Sequence, residues 1–183
     1  MTADTITLVQ SRYLILSKTI HADGRVIPYG NAKMFDLHEV PVNGLDALRE
    51  LLADLLPRQW FAATFGGIAD PTRTQAVRRL AHADPETGDQ PTLRAVAHRW
   101  CALGLDGVAR PESVAAHDLP ACAALAVRTL PAAFHGARSI AQASASHGIK
   151  PGCRLRLWFW FDRTVTGKES AYGCYFPGRH RGH

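Results

Sequence analysis

Gln142–Arg163 reads QASASHGIKPGCRLRLWFWFDR, and the fold turns on how this stretch is interpreted. It divides into a strand end, a polar turn and a long second strand. Ser144, Ser146, His147, Gly148, Lys150 and Gly152 occupy the turn. From Cys153 to Phe161 the sequence then alternates without a break. Successive side chains of a strand point to opposite faces. Cys153, Leu155, Leu157, Phe159 and Phe161 thus line a core face, and Arg154, Arg156, Trp158 and Trp160 line the other. Two roles fit that second face. Left open, its arginines take phosphate and its tryptophans stack bases. Alternatively, both tryptophans lie beneath a helix and the arginines mark a solvated strand entry.

Arg99–Asp106, RWCALGLD, is a further alternating strand. Cys101, Leu103 and Leu105 share one face; Trp100, Ala102, Gly104 and Asp106 share the other. A carboxylate at a strand end suits a metal or phosphate site, and equally suits a turn that caps its own backbone. Between these two stretches Asp118 is placed to cap a helix reaching about Leu130, and Arg138–Ser144 re-enters the sheet.

Upstream, Ser11–Ile20 reads as a strand turned back at Asp23-Gly24, with Lys33–Val40 as its successor. Asn43 is placed as a helix N-cap, with Asp46 in the first turn and a one-sided leucine stripe ending at Pro57. Trp60–Gly67 is a short buried strand. Asp70–His82, with Arg73, Arg78 and Arg79, is a basic helix or loop, or simply a solvated surface; Asp84–Pro91 is a polar loop. The element pattern is that of an α/β (α+β) single domain, with a mixed, mainly antiparallel sheet and flanking helices. The domain is expected over residues 1–163, followed by an irregular, poorly ordered tail over 164–183.

The chain has 183 residues, enough for a core without disulfides. Its formal net charge is +5, carried more by arginine than by lysine, which suits phosphate forks. Cys101, Cys122, Cys153 and Cys174 form no CxxC pair, so a zinc site or a disulfide framework is not expected. MTADTITLVQ carries no signal peptide, which points to a cytoplasmic setting, and no apolar run reaches the ~20 residues of a membrane span.

RWCALGLDGV followed about forty residues later by QASASHGIKPGCRLRLWFWFDR resembles the archaeo-eukaryotic primase superfamily, in particular the primase-polymerase-like domains of plasmid and mobile-element replication proteins. The likeness covers roughly Ser11 to Arg163. It implies a primase/RRM-like core and metal-dependent nucleotidyl transfer, with Mg²⁺ or Mn²⁺ as cofactor. Nucleoside triphosphates, single-stranded DNA and a helicase or other replication proteins are the implied partners, with no membrane. In this resemblance Asp106 matches the second aspartate of an Asp-x-Asp motif and is the implied metal ligand. His147, after Ser144 and Ser146, matches the histidine that contacts the nucleotide. Lys150, Arg154 and Arg156 are the implied phosphate contacts. The first aspartate of the motif falls on Gly104, and no third carboxylate motif is recognisable; Asp162 follows the strand too soon.

The chemistry behind the motif is general. Residues two apart on a strand share a face, so Asp-x-Asp aims two carboxylates at one metal pair, and two metals clamp the attacking and leaving oxygens. A chain with only Asp106 is expected either to transfer nucleotides weakly or to bind nucleotide or single-stranded DNA without catalysis. A serine–histidine hydrolase is disfavoured: Ser146 and His147 are adjacent, and no nucleophile elbow is present. The active-site expectation requires Asp106 and His147 to line one concavity.

Overall fold

The computed structural model describes residues 4–167. Its first strand, β1 (Asp4–Ser11), lies between β4 (Phe35–Val42) and β5 (Phe61–Thr64) in an antiparallel sheet. The chain returns through a small ribbon, β2 (Thr19–Ile20) and β3 (Val26–Ile27), which turns at Asp23-Gly24 as the sequence predicts. A second three-stranded antiparallel sheet has the order β8 (His98–Val108), β10 (Cys153–Val165), β9 (Ser139–Ala143). A last ribbon pairs β6 (Gly67–Ile68) with β7 (Leu93–Arg94). Helices α1 (Leu45–Leu55) and α2 (Leu119–Arg128) complete an α+β fold. No helix among the described residues is long and apolar enough to cross a membrane.

Local chemistry accounts for the helices. Asp118 caps α2 by accepting the Ala121 N–H at 3.1 Å, as expected. At α1 the N-cap is Gly44 with φ +99°, one residue beyond the expected Asn43, because the chain must enter the helix through left-handed backbone.

The elements stack in layers. Leu48 and Leu52 of α1 pack with Ile6 and Leu8 of β1 against Trp100 and Trp158 of the second sheet. The opposite face of that sheet, with Leu103, Leu155 and Leu157, packs on Cys122 and Ala126 of α2. The outer face of β1 contributes Val9 to a third cluster with Ile68 and Leu93.

Two sequence expectations shift, and one open alternative closes. The first strand is Asp4–Ser11 instead of Ser11–Ile20; Thr5, Ile6, Thr7 and Leu8 alternate in polarity, yet Thr7 is as buried as Ile6, so both faces of the strand are covered. The Asp70–His82 segment is a loop, held to β4 by backbone bonds from Phe35 to Val77 and from Leu37 to Thr74. The long strand passes Phe161 and continues to Val165, which is buried opposite His98. The tail expected over 164–183 therefore begins as strand, and residues 168–183 lie outside the described residues.

The two sheets are joined by polar bonds as well as by packing. The Asp4 carboxylate lies 2.8 Å from Nδ1 of buried His98 and accepts the Arg99 N–H; Nε2 of His98 lies 2.9 Å from the Phe65 carbonyl oxygen. Trp100 donates its indole N–H to the Thr5 carbonyl at 2.9 Å. Asp4→Ala leaves His98 and the Arg99 N–H without this acceptor. The expected cost is about 2–4 kcal/mol of stability, read as a lower urea midpoint at unchanged slope.

Burial, and then the neighbouring Cys122 thiol, push the Cys153 thiol up from 9.0 to about 11. A raised folded value favours the folded state below the unfolded value and loses that advantage as pH rises through the folded one. Stability should therefore fall between 9.0 and about 11 more steeply in the native chain than in Cys153→Ala. Equal slopes would refute this.

Candidate functional site

The second sheet carries the residues that the sequence singles out, and its register shows how they meet. Arg154 is opposite Asp106, Arg156 is opposite Gly104 on one side and Gln142 on the other, and Trp158 is opposite Ala102 and Ile140. These residues share the face turned toward α1 and the first sheet. That face is only half covered. At its Trp158 end it is core: Trp100 is 2% exposed and Trp158 3%, their rings 5.8 Å apart. At the other end Ala102, Gly104, Asp106 and Arg156 are exposed. The covering layer stops midway along β10, leaving a shelf.

The expected basic and aromatic face is therefore corrected in its aromatic half. Trp158 is enclosed by α1 and β1 and is not a base-stacking platform. Its indole N–H points to the Gln142 Oε1 at 3.4 Å. Trp160 is half-buried against the same cluster. Two tryptophans fill the gap between sheets because they are the bulkiest apolar side chains available for it.

Gly104 forms the floor of the shelf. A Cβ built there meets no atom within 4 Å, so the space above it is open. Arg154 Nη1 approaches the Asp106 Oδ1 at 3.6 Å, a loose ion pair at a half-open site. Arg156 is exposed and has no carboxylate partner among the described residues. The shelf thus offers one carboxylate already faced by a cation, a guanidinium with no side-chain partner among the described residues, and the amide of Gln142. Gln142 heads the quoted stretch but was not singled out from sequence; the alternation of β9 is the signal that places it beside Arg156.

His147 is not on this shelf. Its Nδ1 accepts the Arg154 N–H at 3.0 Å, and its Nε2 lies 2.7 Å from the Ala116 carbonyl oxygen, which requires a proton on Nε2. The Arg154 carbonyl accepts the Ser144 N–H at 2.9 Å, so both backbone groups of Arg154 face the β9 side. The imidazole ring extends the β9 ladder by one bond after the strand itself has ended. Ala116 belongs to the approach to α2, where Cys122 Sγ also points, so the ring leans toward the face opposite Asp106. Both ring nitrogens are engaged by backbone. With both ring nitrogens so occupied, His147 presents no free nitrogen toward Asp106.

The other candidates occupy the turn or lie far away. Ser146 is buried, and its carbonyl accepts from Ile149 and Lys150; its Oγ lies 3.4 Å from the Ser144 Oγ. Lys150 is exposed at the turn. Gly152 is fixed by φ +76° and by Val108 O, which a Cβ would meet at 2.7 Å. Asp162 is eight residues along β10 from Arg154, roughly 26 Å at strand rise, so it is not a partner for Asp106.

Mg²⁺ or Mn²⁺, which the primase resemblance implies, does not fit these residues. A hard cation needs several oxygen ligands. Asp106 has a glycine where a second carboxylate would stand and a guanidinium 3.6 Å away. No group of three or more metal-ligating side chains occurs among the described residues. A groove of about 470 Å³ lies elsewhere, lined by Thr72–Val77, and Arg73 is its only ionisable lining residue, so it holds no catalytic set.

His147→Ala removes an acceptor and a donor from two part-buried backbone groups and should cost about 1–3 kcal/mol of stability, measured by urea unfolding. Phosphate affinity of the folded variant should stay within about twofold. A large loss of affinity at native stability would instead give the ring to a ligand. Comparison of the chain with protein-family models, with curated proteins and with solved structures finds no match.

Proposed function

We propose that the protein is a non-catalytic binding module for a phosphate-bearing ligand, either single-stranded DNA or a nucleoside triphosphate. The observation that carries this reading is Arg156, exposed above the open floor at Gly104 and without a side-chain partner among the described residues. A guanidinium offers several donors in a planar fork that matches phosphate oxygens. Arg154 is partly committed to Asp106, so it acts as the second, weaker contact. Lys150, exposed at the neighbouring turn, and the net charge of +5 add attraction at longer range. Asp106 orients Arg154 and repels a ligand placed too near the strand end.

Metal-dependent nucleotidyl transfer, the activity implied by the primase likeness, is the weaker reading. Its metal ligands reduce to Asp106, and the histidine matched to nucleotide contact is spent on backbone. Stacking on Trp158 is likewise no part of the proposal, so affinity rests on charge.

The test is anisotropy of a dye-labelled single-stranded oligonucleotide, and competition by a nucleoside triphosphate, across a salt series. Binding should weaken as salt rises, because phosphate contacts release counterions. Arg156→Ala should cost about 1.5–3 kcal/mol, roughly ten- to hundredfold in affinity, and reduce the salt slope by about one. Gly104→Asp should lower affinity similarly, because the new carboxylate fits the open space and faces Arg156 across the strands. Arg79→Ala, in the loop over the other sheet, should change neither. If neither ligand binds at low salt, or if Gly104→Asp gains a divalent ion and polymerase activity, the proposal fails. The competition arm separates the sources: displacement by triphosphate at equal affinity indicates a nucleotide site, and indifference to it a strand site.

A further inference from the structure

A second surface lies far along the chain from the shelf. Between β1 and β4 the polypeptide leaves the first sheet as an arm, residues 12–34, which carries the β2–β3 ribbon at its end. Its base is tied down: Ser11 N–H donates to the Trp60 carbonyl at 2.9 Å and Leu16 N–H to the Gln59 carbonyl at 2.8 Å. Arg12 also grips Asp36 with Nε and Nη2, and this holds the Asp36 carboxyl below the ordinary carboxylate range. The outer part is uncovered. Val26 is 46% exposed and its neighbour Ile27 51%, so both faces of the ribbon meet solvent. Tyr13, Leu14, Ile15 and Tyr29 are exposed along the same arm. An exposed apolar patch of this kind on a folded monomer marks an interaction surface.

The charges on the arm indicate its partner. Lys18, Arg25 and Lys33 are exposed, and none has a side-chain partner among the described residues. The Asp23 carboxylate is turned inward on the Arg25 N–H. The same chain carries the complement. Asp46, Glu50 and Asp54 recur every four residues on α1, which puts them in one stripe away from the buried Leu48 and Leu52. Asp46 is held by Arg138, whereas Glu50 and Asp54 are exposed and have no such pair among the described residues. At the end of this stripe stand two more exposed apolar residues, Leu56 and Trp60, the latter beside the base of the arm. One surface is cationic and apolar; the other, Glu50 and Asp54 against a single exposed Arg58, is anionic on balance and apolar at Leu56 and Trp60.

We infer that two copies of this chain pair through a two-fold axis, each laying its arm along the Glu50–Trp60 edge of the other. The contact is self-complementary, as a closed dimer requires. Each copy supplies one arm and receives one, so the cations of Lys18 and Arg25 meet Glu50 and Asp54 twice. The inference is independent of the phosphate shelf, which stays outside the contact.

Sedimentation velocity on the full chain over a concentration series tests it. A reversible monomer–dimer equilibrium is expected, and Ile27→Asp should raise the dissociation constant at least tenfold. The decisive experiment uses two charge-reversed chains. One is Lys18→Glu with Arg25→Glu; the other is Glu50→Lys with Asp54→Lys. Each alone should be monomeric, since like charges face each other in its homodimer. Mixed in equal amounts, they should form a heterodimer. All five positions are exposed, and thermal unfolding checks that each variant folds. A native chain that stays monomeric at every concentration, reversed chains that each dimerise as the native chain does, or a mixture that stays monomeric would each overturn the inference. An arm whose charge reversal abolishes oligonucleotide binding while leaving the native chain monomeric would assign it to nucleic acid instead.

Discussion

The Asp4 carboxylate is the point at which the two halves of the molecule become one. It sits on the first strand, yet its partners, His98 and the Arg99 N–H, start β8 of the second sheet. The next pair of positions repeats the link, with Trp100 bonded to the Thr5 carbonyl. The separation of 94 residues between Asp4 and His98 makes this a costly contact to close in an unfolded chain. Once closed, it fixes the distance between sheets, and that distance is what two tryptophans and the leucines of α1 fill. Because the bonds are part-buried and directional, they select one relative placement of the sheets, which apolar packing alone leaves loosely defined.

From that constraint follows the shape of the shelf. The covering layer is anchored at the His98 end of β8, and β1 and α1 extend over Trp100, Trp158, Trp160 and Ile140. The remainder of the second sheet keeps α2 behind it and water in front. A sheet with one face packed and one solvated is ordinary for antiparallel pairing. Here one strand meets both conditions in succession, apolar on two sides around Trp158 and on one side around Arg156. Arg156 is exposed because the layer above has ended. Function, on this view, occupies the part of the sheet that the seam cannot reach.

Much of this was legible in the sequence. The alternation of Cys153–Phe161 and of Arg99–Asp106 predicts both strands and their core face, Asp118 its cap, and Asp23-Gly24 its turn. Those features depend on neighbours within a few residues. What failed to show depends on distant ones. Trp158 and Arg156 share a parity, and nothing local says that β1 and α1 will cover only the first. The first strand alternates over Thr5–Leu8, but the burial of its Thr7 face depends on the loop and ribbon that pack over it, which no neighbour in sequence announces. His147 follows Ser144 and Ser146 in a turn that resembles a nucleotide-binding pattern, but its hydrogen-bond partners are set by the path of the chain into α2. The resemblance to primases rests on spacing, and spacing does not record which face a ring turns to.

The pairing of Trp100 with Trp158 carries an optical consequence. Both indoles are almost fully enclosed and their rings lie 5.8 Å apart, whereas Trp60 stands 48% exposed at the margin of the other sheet. Emission from the enclosed pair belongs to a dry environment and that from Trp60 to a wet one, with half-buried Trp160 between them. The blue edge of the fluorescence spectrum therefore reports whether the sheets are together, and the red edge reports the surroundings of the arm. A single spectrum separates the interior of this protein from its periphery without any label.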